Sequence, residues 1–174
     1  MTEYLKNVDD LNRSYLWRIL FDQVRLKRMP PIKFIEIVVM HFLDEKVEAI
    51  IPYILGQVSF ILSMGLINKE EKDKALDFVL QVYEKKMLAN VDNKSMVNMI
   101  LNYYIGLCPK SKNDILLSMA TRDCLPGQEK IKVNKRQRYA CLRKLLKFKT
   151  TDVQPLFEKE QERDFSDADH IAKL

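Results

Sequence analysis

The chain is predicted to be all-α, built of antiparallel helical hairpins, and three features of the sequence carry that prediction. Four glycines and six prolines in 174 residues are too few turn formers for a sandwich or a barrel. Leu, Lys and Ile are the commonest residues, and the abundance of Leu and Lys, with Glu and Met among the remainder, favours helices. Apolar residues recur three and four positions apart in stretches of roughly 12 to 20 residues, joined by short turns, with no strand pattern between them. The 47% hydrophobic and 30% charged content is that of a globular chain large enough to bury a core. Residues 1–174 are therefore expected to form one all-helical domain or a piece of one.

The first helix is expected to start at Asp9 or Asp10 as N-cap and run to about Arg28, since a short acidic side chain accepts from the free amides of a first turn. Tyr15, Leu16, Ile19, Leu20 and Val24 form its apolar stripe, widened by Trp17 and Phe21. Met29-Pro30-Pro31 breaks the chain, and Pro31 suits the first turn of a second helix that turns Ile32, Ile35, Val38, Val39 and Phe42 inward. A third helix is expected from Lys46 to Met64. Glu48, Pro52, Gly56, Ser59 and Ser63 line one side of it, mostly small residues that admit close packing, and Gly65 ends it. Asn68 caps a fourth helix reaching Leu88.

A fifth helix spans Asp92 to about Gly106 and buries Met96, Met99, Ile100, Tyr103 and Leu107. Ser111 with Asp114 reads as a capping box for a sixth helix carrying Ile115, Leu116 and Met119. After the turn at Pro126-Gly127, a strongly basic seventh helix is expected from Glu129 to Phe148. An eighth is expected from about Thr151 to Arg163, with Pro155 in its early turns. Ser166 to Leu174 then opens a ninth helix that stops abruptly, as in a fragment. No fixed period recurs, so the hairpins are expected to stack as an irregular α-α superhelical array rather than as a consensus repeat.

Ala49 to Ile67 carries no charged residue and approaches the lower limit of transmembrane length. Pro52, Gly56, Gln57, Ser59 and Ser63 interrupt it and no aromatic belt flanks it, so a buried central helix is the expectation and a membrane span is not. Cys108, Cys124 and Cys141 are odd in number and contain no C-x-x-C pair, the pattern of free thiols in a reducing compartment. The opening residues Thr2, Glu3 and Tyr4 lead to Asp9 and Asp10 without an apolar run that would export the chain. A cytoplasmic location is expected.

The net charge of +5 is concentrated late in the chain. Lys130, Lys132, Lys135, Arg136, Arg138, Arg143, Lys144, Lys147 and Lys149 alternate with Ile131, Tyr139, Leu142, Leu145 and Leu146. On one helix the apolar residues would face the array and the cations water. The surface around Lys135, Arg136, Arg138, Arg143 and Lys144 is the candidate for contact with peptide carboxylates or an acidic partner. A nucleic-acid partner is not expected, because neither an aromatic stacking platform nor a nucleic-acid motif accompanies the charge. His41 and Glu45, at i and i+4, would share a helical face if the helix continues that far, but a third ligand is lacking, so no metal site is assigned. Asp167 and Asp169, beside His170, read as first-turn acids of the last helix. Ser14, Ser95 and the cysteines have no readable His and acid partners for nucleophilic catalysis.

Three stretches together resemble the C-terminal helical domain of the zinc aminopeptidase N family. The first is Val8-Asp9-Asp10-Leu11-Asn12-Arg13-Ser14-Tyr15-Leu16-Trp17, continuing through Leu20, Val24 and Met29. It is similar to the family's Asp, Leu, Arg and Leu-Trp pattern. The second is His41-Phe42-Leu43-Asp44-Glu45, similar to an acidic turn before an apolar helix. The third, Leu156-Phe157-Glu158-Lys159-Glu160-Gln161-Glu162-Arg163-Asp164-Phe165-Ser166-Asp167, resembles a Glu-rich helix running into Arg-Asp and a Ser/Thr-Asp turn.

The resemblance implies a HEAT-like array that covers the active site of a metallopeptidase and limits which peptides enter. Its partners would be the parent's catalytic domain and peptide substrates, with zinc held in that catalytic domain and no cofactor in this chain. The family's H-E-x-x-H helix and Gly-x-Met-Glu-Asn loop are absent here, His41 and His170 being the only histidines, so no residue inherits a catalytic role. Arg28-Met29-Pro30 stands where the family has a small or Gly-containing turn, and the family domain continues for several helices beyond Leu174. An apolar array face left uncovered would also favour self-association. The reading from a different class is a free-standing helical scaffold that binds a protein partner.

Overall fold

The fold is all-α. The computed structural model describes residues 5, 7–149 and 152–171, the side chains of 164–171 excepted. Its helices are α1 Asp10–Arg25, α2 Pro31–His41, α3 Ile51–Ser63, α4 Lys69–Ala89, α5 Lys94–Leu107, α6 Asn113–Arg122, α7 Lys135–Phe148 and α8 Gln154–Ile171. A short hairpin, β1 Cys124–Leu125 with β2 Gln128–Lys132, interrupts them. The chain divides into two compact units, Met1–Leu107 and Cys108–Leu174.

In the first unit α1 is capped by Asp9, whose carboxylate accepts from the Asn12 amide at 3.0 Å. Asn68 caps α4 in the same way through the Glu71 amide at 2.9 Å. The inward face of α1 is Trp17, Leu20, Phe21 and Val24. Tyr15 and Ile19, expected in that stripe, are each 53% exposed, because α1 is apolar on two opposite faces and only one is covered. Phe34 of α2 meets the edges of Trp17 and Phe21, with ring centroids 6.2 and 5.5 Å apart.

The uncharged segment becomes α3, whose Ile51, Ile54, Leu55, Val58 and Ile61 are fully buried. That burial accounts for its lack of charge. No described helix is long and apolar enough to cross a membrane. The helix begins at Ile51 rather than Lys46, since Phe42 to Ile50 forms an irregular turn that Glu45 holds. Gly56 faces α5, where an added Cβ would sit 3.8 Å from the Tyr103 hydroxyl. Gly65 takes φ 68° just past the helix end, the left-handed conformation that glycine adopts without strain.

The second unit departs more from expectation. A 3-10 turn, Lys110–Lys112, precedes α6, and no side-chain bond from Ser111 caps it. The chain expected to begin a long helix at Glu129 is instead β2; Ile131 within it and Val133 just past its end are buried while Lys130 and Lys132 are exposed. That alternation has the period of a strand. Gly127 supplies the positive φ of 74° that the two-residue turn requires. Helix α7 starts only at Lys135, behind a capping box in which the Asn134 side chain accepts from the Gln137 amide and the Gln137 side chain accepts from the Asn134 amide. Thr151, the expected start of the eighth helix, lies outside the described residues, and α8 begins at Gln154. It then runs unbroken to Ile171, so no ninth helix opens at Ser166 and Asp167 and Asp169 sit within α8 rather than at a helix start. Residues 172–174, expected within that last helix, lie outside the described residues.

Candidate functional site

In the first unit the turn between α2 and α3 carries a carboxylate where carboxylates are rare. Glu45 is 2% exposed, and a charge at that depth needs direct partners. Arg13 Nε donates to its two oxygens at 3.0 and 3.2 Å, Trp17 Nε1 at 3.2 Å and the Val47 amide at 3.0 Å. Arg13 also donates to the Val8 carbonyl at 3.0 Å and to Asp10 at 2.6 Å. Burial pulls this guanidinium downward, but hydrogen bonds and charge from Glu45 and Asp10 outweigh it and its pKa is raised.

Lys86 of α4, also 2% exposed, donates to the carbonyls of Leu43 and Glu45. Burial holds its ammonium below the ordinary lysine range, against the opposing charges of Glu45 and Asp44. A cleft of about 650 Å³ opens here, lined by Asp10, Arg13, His41, Asp44, Glu45 and Lys46 among others. His41 and Glu45 thus share a cleft, yet both Glu45 oxygens are already engaged by Arg13, Trp17 and Val47. Among the described residues no group of three or more His, Cys, Asp and Glu is placed to hold a metal. The arrangement locks α1, α4 and the α2–α3 turn together.

In the second unit the basic helix is divided between inside and outside. Lys135, Arg136 and Arg143 are exposed, and Arg136, Arg143 and Lys147 follow one another along the outer side of α7 at helical spacing. Arg138 departs from the expectation that the cations face water. It is 9% exposed and directed inward, with Nε 2.8 Å and Nη2 2.7 Å from Glu160, Nη1 3.2 Å from the Val133 carbonyl, and Nη1 3.4 Å from Asp123. Helical spacing placed it among the outward cations; Glu160, 5% exposed, holds it in. Arg163 joins the network through Asp123. The Arg163 hydrogen bonds, with the charges of Arg138 and Arg163, hold the Asp123 carboxyl below its ordinary range against the effect of burial. The spacing of the sequence carried no signal for this cluster, since Asp123, Arg138 and Glu160 belong to three different elements.

Lys144 is half-buried, its ammonium 5.8 Å from the centre of the Phe148 ring. Burial lowers its pKa to about 8, opposed by the nearby Cys108 and Cys141. Burial likewise pushes the Cys141 thiol up to about 12, leaving it protonated at neutral pH and a poor nucleophile. All three cysteines are free thiols, Cys108 and Cys141 buried and Cys124 partly so. Lys135, Arg136 and Arg143 are the members of the expected basic surface that the structure leaves exposed.

No family model, curated protein or solved structure matches the chain.

Proposed function

We propose that this chain is a non-catalytic helical module of an aminopeptidase-N-like zinc peptidase, covering an active site supplied elsewhere in the parent and shaping peptide access to it. The observation that supports this reading is the Glu45 lock. Arg13 and Trp17 come from the first stretch that resembles the family, Glu45 from the second, and the three side chains bond directly. In the third stretch Glu160 and Arg163 likewise take part in one ion-pair network. Residues that carry the resemblance thus do joint structural work, as parts of one architecture would. The exposed cations Lys135, Arg136 and Arg143 are the side chains suited to peptide carboxylates.

The test is the size and content of the native polypeptide. An antibody raised against this chain is used to capture it from its cells, and the product is sized on a denaturing gel and mapped by tryptic peptides. The reading predicts a polypeptide much larger than 20.6 kDa containing an H-E-x-x-H peptide. A band at 20.6 kDa without that peptide overturns it in favour of a free-standing scaffold. One observation favours that second reading: a mostly apolar groove between α2 and α4, about 580 Å³, flanked by Met40 and Phe78, which are 54% and 58% exposed.

A further inference from the structure

Helix α1 leaves a row of large apolar side chains in water. Leu11 is 65% exposed, Tyr15 and Ile19 53% each, and Leu26, at the C-cap, 58%. At roughly 100° per residue these four fall within about 80° of arc, on the side of the helix opposite Trp17, Leu20, Phe21 and Val24. The row runs through Leu11, Tyr15 and Ile19 and, past the exposed Asp22 on the same side, resumes at Leu26, which is more than scattered surface leucine.

Its two ends are also symmetric. About the midpoint between Arg18 and Ile19, Leu11 mirrors Leu26 and Tyr15 mirrors Asp22. A second copy laid antiparallel would therefore set Leu11 against the other Leu26, bring the two Ile19 side chains together at the twofold axis, and place each Tyr15 hydroxyl opposite the other Asp22. Arg18 lies about one turn from the other Asp22 in that arrangement, so two cross-copy ion pairs form. Among the described residues Asp22 pairs with the exposed Arg25 at 3.2 Å, a contact worth little in water and readily exchanged.

We propose that this face of α1 is a self-complementary interface on which a second copy of the chain docks antiparallel. The inference does not depend on the proposed function. The 16 residues of α1 span about 24 Å, and a single helix pair of that length lies at the small end of specific interfaces. The association is accordingly expected to be weak, with a dissociation constant on the order of micromolar.

Sedimentation of the purified chain up to about 200 µM, well above that constant, tests the proposal. A concentration-dependent dimer is expected, with Ile19→Asp monomeric and its far-ultraviolet circular dichroism unchanged. Arg18→Asp and Asp22→Arg are each expected to weaken the dimer about fivefold or more, and the double exchange to recover most of that loss. A monomer at every concentration overturns the proposal and leaves the face to another protein or a lipid surface. A dimer indifferent to Ile19→Asp, or one the double exchange does not rescue, overturns it equally.

Discussion

Arg13 and Glu45 stand 32 positions apart and meet in the interior of the first unit, guanidinium nitrogen 3.0 Å from carboxylate oxygen, the carboxylate side chain 1% exposed and the arginine 16%. The pair fixes where the chain goes after α2. Without it, the Glu45 carboxylate would keep only the Trp17 and Val47 donors and the more distant charge of Lys86 at that depth.

Glu45→Ala is therefore expected to cost about 3 kcal/mol, since it removes the buried partner of Arg13, which keeps only Asp10 and the Val8 carbonyl, and the acceptor of the buried Trp17 indole. Glu45→Gln keeps one acceptor and is expected to cost less. Trp17 is the only tryptophan, so urea unfolding followed by its fluorescence reports on this unit directly; an unchanged midpoint for Glu45→Ala would contradict the role given to the lock.

A parallel expectation holds for the second unit. Arg138→Met leaves Glu160 buried without its main partner and is expected to cost roughly 3–5 kcal/mol, whereas Arg138→Met with Glu160→Leu replaces the pair by apolar groups and recovers most of that loss. Hydrogen exchange of α7 amides distinguishes the two variants. Equal protection in both would mean that the ion pair does not hold α7 to α8.

Tyr83 is fully buried, and its hydroxyl has no hydrogen-bond partner among the described residues. A stranded hydroxyl carries a desolvation penalty. Tyr83→Phe is expected to leave stability unchanged or raise it by up to about 1 kcal/mol, readable as a higher urea midpoint. A loss of more than about 1 kcal/mol would reveal an unseen partner.

Lys144 gives a pH signature. Its pKa falls from 10.5 to about 8 on folding, so between those values the unfolded chain holds the extra proton and stability rises with pH. The penalty is complete below pH 8 and gone above 10.5. Lys144→Met is expected to stabilise by about 1 kcal/mol at neutral pH, a figure discounted for solvent exposure, and that advantage should fade as pH climbs through the window. Urea midpoints of the two proteins at several pH values decide it; a constant difference would mean that charge plays no part.

What could be read from the sequence was local. The caps at Asp9 and Asn68 and the burial of the uncharged α3 follow from short-range chemistry. The β-hairpin was legible too, in Ile131 and Val133 alternating with lysines and in the Asn134 and Gln137 capping box, but the density of basic residues drew the helix forward to Glu129. In α1, Tyr15 and Ile19 share the spacing of buried residues, and periodicity cannot tell which of two apolar faces is covered. The partners of Glu45 and Arg138 come from distant elements, and no spacing along the chain encodes such meetings.

The central claim, an accessory module without chemistry of its own, is tested most directly by aminopeptidase assay of two preparations side by side, with zinc added and with chelator. One is the isolated chain and the other is the native polypeptide captured by antibody. The account predicts no turnover of aminoacyl fluorogenic substrates by the isolated chain and chelator-sensitive turnover by the native polypeptide. Zinc-dependent turnover by the isolated chain, or a native polypeptide inactive under the same conditions, would contradict it.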